Sequence, residues 1–344
     1  SGGFLGSFAT VDITPTGYEN LRIDTNIYKR DNAFTERQTV QPPTPLLGVA
    51  AGNKWAMRDS NWDLDFQDAA ARVSWFYQQE GGEAVDGVIA LNATVVADLL
   101  RLTGPIPLPG SDEPLGSENF FDTLHYKIEK EYYFDPDNRR SNEPKSILRE
   151  LVPLLTRKAI EPQVLARSIP LLLQELEERQ IQLYHTDPQV QAHILARGWG
   201  GALAQTDGDF LLVNNASVGG RKSSLNVVQS LHLRLKTVQE QLHHTLTITR
   251  THTGDGVWPD HTNNNYLRVA VPSDARLESA TRNGVLVTSE IDTSSERDKT
   301  TYGIHLDTPP GLTSQLELVY VMPAADSLYY QKQSGTLQEK LQIE

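Results

Sequence analysis

The chain has 344 residues, 38% of them hydrophobic and 22% charged, with a formal net charge of −13. Its length exceeds what one hydrophobic core usually holds, so two domains are expected. The acidity excludes generic nucleic-acid binding and electrostatic docking on anionic lipid, leaving room only for a local basic pocket inside an acidic shell.

No cysteine occurs, which removes disulfides, thiolate catalysis and cysteine-ligated metal. No run of about 18 apolar residues reads as a membrane span. Ser1-Gly2-Gly3-Phe4 leads at once into an apolar stretch, and Leu341-Gln342-Ile343-Glu344 stops on a strand-like alternation. Both ends read as cut, so any export signal or membrane anchor is expected outside this chain.

In chain order, Gly3 to Ile13 reads as a strand with glycine breaks. Asn26 to Pro45, polar and then proline-rich, reads as a surface loop. A helix follows, capped by Asp65 or Asp68, with Ala69, Ala70, Val73, Phe76 and Tyr77 at helical spacing and Gly81-Gly82 at its end. Val85 to Leu91 is a short buried strand, and Asn92 or Thr94 caps a second helix that stops at Gly104-Pro105. From Glu118 to Glu178 the pattern is helical, with leucine stripes at Ile147–Leu155 and Leu171–Leu176 that are core faces first. This alternation predicts an α/β/α sandwich. Beyond Gly201 short alternating runs separated by turn residues, among them Phe210–Val213, Leu231–Leu235, Thr245–Thr249, Tyr266–Val271 and Leu316–Val321, predict an antiparallel β-sandwich-like domain. The boundary falls near residue 205, giving an α/β domain over 1–205 and a β-rich domain over 206–344 that is truncated at its C-terminal end.

Two clusters have residue types suited to phosphate chemistry. Asp59, Asp63 and Asp65 fall within seven residues beside Arg58. Carboxylates held close in a loop suit a hard cation such as Mg²⁺, and an adjacent guanidinium suits a phosphate. The alternative is a solvated loop with a surface Arg–Asp pair. Arg139, Arg140, Lys145 and Arg149 form a basic set, with Lys145 and Arg149 on one helix face. The alternative there is surface charge balanced by Glu143 and Glu150. The histidines lack zinc spacing, and neither a nucleophile elbow nor a phosphate-binding glycine loop occurs.

Ser1 to Ser7, Arg58-Asp59-Ser60-Asn61-Trp62-Asp63-Leu64-Asp65-Phe66, Trp75-Phe76-Tyr77 and Val85 to Leu91 together resemble the bacterial domain-of-unknown-function family 4012. Leu183-Tyr184, Gly198 to Gly201, Val218 to Lys222 and Tyr330 to Gly335 extend that resemblance over most of the chain. The first part is in turn similar to the LytR-CpsA-Psr family, through Arg58-Asp59, the strand and helix from Val85-Asp86 to Gly104, and Asn138-Arg139-Arg140 through Arg149. That family transfers glycopolymers from a polyprenyl pyrophosphate carrier to the cell wall, outside the membrane.

The resemblance implies that Arg58 holds a phosphate and that Asp59 binds Mg²⁺ or takes a proton. It also implies that Arg139, Arg140 and Arg149 clamp the pyrophosphate; Lys145 joins them from the shared helix face, and Asp63 and Asp65, extra to that family's pattern, are expected to complete the cation site read from the carboxylate cluster. It implies an extracytoplasmic, membrane-anchored envelope protein whose partner is a polyprenyl-pyrophosphate glycan or wall polymer. A rival reading is a non-catalytic surface protein, of assembly or adhesion and open to homo-oligomerisation, that works through its β-domain. Catalysis needs Arg58, Asp59 and the Arg139 to Arg149 cluster to converge on one cavity. The rival expects an exposed sheet edge or apolar patch, with Arg58 closed in an internal salt bridge.

Overall fold

The computed structural model describes residues 3–49, 52–108, 111–134, 143, 145–220, 222–258, 260–336 and 339–344. Strands β1 (Phe8–Thr14) and β2 (Gly17–Asp24) form an antiparallel hairpin. Helix α1 (Ile27–Arg37) follows where the polar composition predicted a loop. Its N-cap is Asn26, whose side chain accepts the Lys29 N–H, and its buried face is Ile27, Asp31 and Phe34. Only two of those three positions are apolar, so the helical period is nearly hidden in the sequence.

Helix α2 (Phe66–Gln79) is capped by Asp65, as its sequence predicts, and buries Phe66, Ala69, Ala70 and Phe76. β3 (Gly87–Leu91) pairs antiparallel with β4 (Ile181–His185). Val88 and Ala90 on one face of this pair, with Tyr184, meet Phe66, Ala69 and Ala70 of α2. The opposite face carries Ile181 and Leu183. These meet Val95 and Leu99 of α3 (Ala93–Thr103), together with Leu172 and Leu176, which lie on the helix Pro162–Glu177. Among the described residues the middle layer is therefore two antiparallel strands. It is narrower than the sheet that an α/β/α sandwich implies, because the intervening chain folds as helices. These are α4 (Phe120–His125), a π-helical stretch over Tyr126–Glu131, α5 (Leu148–Ala159), α6 (Pro162–Glu177) and, after β4, α7 (Pro188–Ala196). The leucine stripe of α5 is core. Leu151 and Leu155 pack with Leu100, Ile106, Leu115 and Phe120.

The β-rich part begins at β5 (Asp209–Ser217) and forms two sheets. β6 (Val227–Val238) and β7 (Gln241–His252) are a hairpin, closed by Gln239 and Glu240 in the left-handed region. β8 (Asn265–Pro272), β9 (Arg276–Arg282) and β10 (Val285–Leu286) follow. Asn283-Gly284, with both φ angles positive, turns between the last two, and Gly284 is the residue such a turn favours. β11 (Asp292–Glu296), β12 (Lys299–His305), β13 (Thr313–Pro323), β14 (Leu328–Tyr330) and β15 (Lys340–Ile343) complete the set. The six-stranded sheet has the order β10-β9-β13-β7-β6-β15 and the five-stranded sheet β11-β12-β8-β5-β14. Pairing is antiparallel except for β14 on β5 and β15 on β6, so both sheets are mixed.

Alternate residues of both sheets meet in one core. Leu231, Leu233, Leu246, Ile248, Leu316, Leu318 and Tyr320 face Leu211, Val213, Leu267, Val269, Val271, Tyr302 and Ile304. Fully burying each such side chain stabilises by about 1.5–3 kcal/mol. β8 is buried at every position, and β5 at seven of nine, so these strands are covered on both faces. The second cover is the first part of the chain. Leu64 and Leu203 pack on Phe210, Leu212 and Ala270, while Ile27, Phe34, Trp55, Met57 and Phe76 share a cluster with Ala216, Val218 and Tyr266. The segment from Trp55 to Phe66 is thus the seam between the helical and β-rich parts.

Candidate functional site

A 3₁₀ turn, Met57–Asp59, presents Arg58. The Leu5 N–H donates to the Arg58 carbonyl at 2.9 Å, and the Trp55 indole N–H donates to the Asp59 carbonyl at 3.0 Å, which fixes the turn on both sides. The guanidinium meets Asp31 Oδ2 at 3.3 Å through Nη1 and Asp59 Oδ2 at 3.1 Å through Nε, and it lies over the Tyr28 ring at 5.6 Å. Asp31 is 0% exposed, and the Arg58 side chain keeps 19% of its surface. Glu80, the C-cap residue of α2, accepts the Met57 N–H at 3.0 Å and shares a hydrogen bond with Asp31.

Three buried acids, only two of them on the Arg58 guanidinium, cannot all ionise easily. Burial, reinforced by the Asp31 charge and only partly offset by the Met57 N–H, pushes Glu80 up to about 8. Glu80 therefore holds its proton near neutrality and donates it to Asp31. Burial also raises Asp31, against the pull of Arg58, and raises Asp59 to about 6 despite the same guanidinium.

The other two acids of the sequence cluster face elsewhere. Asp63 takes both arms of Arg72, at 2.7 and 3.1 Å, and the Arg72 guanidinium stacks 4.8 Å above the Trp55 ring. Asp65 caps α2 through Oδ1, which accepts the Gln67 N–H, while its Oδ2 accepts the Leu203 N–H at 3.1 Å. Asp59, Asp63 and Asp65 thus serve Arg58, Arg72 and two backbone amides in turn. Among the described residues no three His, Asp or Glu side chains are grouped as a metal ion requires.

The basic set is placed as follows. Lys145 Nζ lies 5.9 Å from the centre of the Phe4 ring and against Gly6, where a side chain would collide with it. The Phe4 and Tyr28 rings lie 6.1 Å apart at a 39° tilt, so Lys145 and Arg58 each stand against one ring of this pair. Arg149 pairs with Glu143 at 2.5 Å and is largely exposed. Arg139 and Arg140 lie outside the described residues.

Sequence reasoning did not single out Asp31, Glu80, Arg268 or Glu296. Arg268, buried in β8, donates to the Trp62 carbonyl at 2.7 Å and to Asn214 at 2.8 Å, and stacks over the Trp62 ring at 4.2 Å. Burial lowers it to about 10, with Glu296 opposing. Glu296 accepts the Leu64 and Asp65 N–H groups. One usable signal existed: Asp31 shares helical spacing with Ile27 and Phe34, a carboxylate on an apolar face.

Residues 1–128, a little over a third of the chain, match the family model described as "Protein of unknown function (DUF4012)". No curated protein matches the chain. Among solved structures it is similar to a candidate nutrient binding protein from Legionella pneumophila subsp. pneumophila str. Philadelphia 1, at 10% identity and TM-score 0.28, over 40% of this chain and 56% of that one. It is also similar to M1 zinc metallopeptidase from Deinococcus radiodurans, at 17% identity and TM-score 0.17, over 28% and 20% of the two chains. A third is Legionella pneumophila aminopeptidase A, at 15% identity and TM-score 0.20, over 32% and 12%. The chain thus spans little more than half of the first structure and a fifth or less of the others. At these scores the likeness assigns neither fold nor activity to this chain.

Proposed function

We propose that this chain is a non-catalytic binding protein of the bacterial cell envelope, held outside the cytoplasm, in which the Arg58 centre is a structural joint rather than a phosphoryl-transfer site. One observation carries the reading: the Arg58 guanidinium is already engaged from two sides, by a fully buried Asp31 and by Asp59. A pyrophosphate would have to displace both carboxylates and leave Asp31 buried without its partner. Losing one member of a buried ion pair costs about 3–5 kcal/mol. The Asp63–Arg72 and Asp65–Leu203 contacts give the remaining acids structural work in the same seam. Recognition of envelope polymers, or assembly with further copies, then falls to surfaces beyond this centre.

The test is binding of a polyprenyl pyrophosphate to the wild type and to Arg58→Ala, each with and without Mg²⁺. Equal affinity in all four measurements is expected. Tighter, Mg²⁺-dependent binding that vanishes in Arg58→Ala contradicts the reading and restores Arg58 and Asp59 as catalytic residues.

A further inference from the structure

A second charged region lies well along the chain from Arg58. A cavity of about 400 Å³ opens between the helical stretch 122–130 and, from the β-rich part, Lys222, Leu225, Asn226, Val257, Trp258 and Asp260. Its aromatic wall is Trp258, 40% exposed, with Tyr126 exposed beside it. Lys130 places its ammonium 5.8 Å from the Trp258 ring centre, and Lys222 also lines the cavity. Asp122 and Asp260 also line the cavity, so its formal charges balance, and Lys130 is the cation set against the indole.

The floor is built rather than loose. Asp260 turns inward. Its Oδ2 accepts the Gly256 N–H at 3.1 Å, and its Oδ1 lies 3.2 Å from His252 Nε2. His252 Nδ1 accepts the Gly254 N–H, which leaves the ring proton on Nε2, 2.9 Å from the His261 carbonyl. The Thr253 N–H donates to the Asn226 carbonyl at 2.7 Å, and a side chain at Gly254 would collide with Asp260 and Asn226. The loop that carries Trp258 is therefore tied to β7 and to the turn before β6. Although burial favours the neutral acid, the Asn226 side chain, the Gly256 and His261 N–H groups and His252 hold Asp260 ionised, below the usual carboxylate range. Its carboxylate is thereby held within the loop.

We infer that this cavity binds an anionic saccharide, with the apolar face of a sugar ring on Trp258 and its carboxylate or phosphate at Lys130. The indole offers a flat apolar platform with a polar edge. Asn226 and Asp122 on the lining supply the amide and carboxylate groups that hydroxyls require. The ammonium beside the ring fixes where the anionic substituent points, and it selects against neutral sugars. A few placed polar groups on an aromatic-walled cavity of this size are what small-ligand sites need. The inference rests on the reading of the chain as a binding protein. It is tested at other residues, so a failure here leaves the Arg58 result intact, and the reverse.

Calorimetric titration of the whole chain supplies the test. The probes are a hyaluronan tetrasaccharide for the carboxylate, N-acetylglucosamine 1-phosphate for the phosphate, and chitotetraose as the neutral control. Either anionic probe is expected to bind at least about tenfold more tightly than chitotetraose, with affinity falling as salt rises. Trp258→Ala and Lys130→Gln are each expected to weaken that binding by about tenfold, at an unchanged thermal midpoint, while Trp258→Phe retains most of it. Which anion binds identifies its source as a uronic-acid polymer or a sugar phosphate. The inference is overturned if neither anionic probe binds at about 10 mM, if chitotetraose binds equally well, or if both variants bind as the wild type does.

Discussion

The charges around Arg58 and those around Trp258 are arranged in opposite senses. At Arg58 every partner is internal: Asp31 and Asp59 take the guanidinium, and Glu80 keeps a proton that it shares with Asp31. At Trp258 the internal carboxylate, Asp260, is held by its own loop, and Lys130 stands against a solvent-facing ring at an opening. A basic residue beside acids is thus not a site by composition. What separates joint from site is whether a buried carboxylate of the fold already occupies the cation.

The contrast breaks most sharply at Arg58. Arg58→Ala strands Asp31 and is expected to cost about 3–5 kcal/mol in urea unfolding. A cost below about 1 kcal/mol would place Arg58 with ordinary surface arginines.

Glu80→Gln comes next, and its effect depends on pH. Glu80 sits at about 8 in the folded chain against an ordinary 4.5, so the folded state binds the proton more tightly. Its contribution to stability is full below about pH 4.5 and is lost as pH rises towards 8. Asp59, raised from 3.8 to about 6, adds the same sign over its own lower window. The introduced amide retains a neutral donor to Asp31 and an acceptor for the Met57 N–H. The variant is therefore expected to gain roughly 4 kcal/mol on the wild type at pH 8 and nothing at pH 4.5, read from thermal midpoints across that range. A parallel pH dependence in the two proteins would rule out the shared proton.

Asp65→Ala removes the α2 cap and the acceptor for the Leu203 N–H, with an expected loss of about 1 kcal/mol. Trp258→Ala and Lys130→Gln are expected to change stability by less than about 0.5 kcal/mol, because neither fills a core. An effect at the cavity as large as that at Arg58 would erase the distinction between the two regions.

The sequence carried some of this plainly. Asp65 and the spacing from Ala69 to Phe76 mark α2, and period-two alternation marks β6, β7 and β13, because their patterns follow from one buried face. It carried α1 poorly, since Asp31 interrupts the apolar stripe for a partner supplied by α2 and the Arg58 turn. Proximity along the chain also misled. Asp59, Asp63 and Asp65 are neighbours in sequence, but a 3₁₀ turn and the start of a helix point them at Arg58, Arg72 and the Leu203 amide. The cavity had no local signature at all. Lys130 and Trp258 meet only through the docking of the helical stretch on the β-rich loops.

The most direct measurement is a double-mutant cycle in urea unfolding with Arg58→Met, Asp31→Asn and the two combined. The double variant is expected to lose less than the sum of the single losses by about 1–3 kcal/mol, since each change removes the same buried pair. Losses that add to within about 0.5 kcal/mol would show that Arg58 and Asp31 act independently, which would contradict Arg58 as the joint of the molecule.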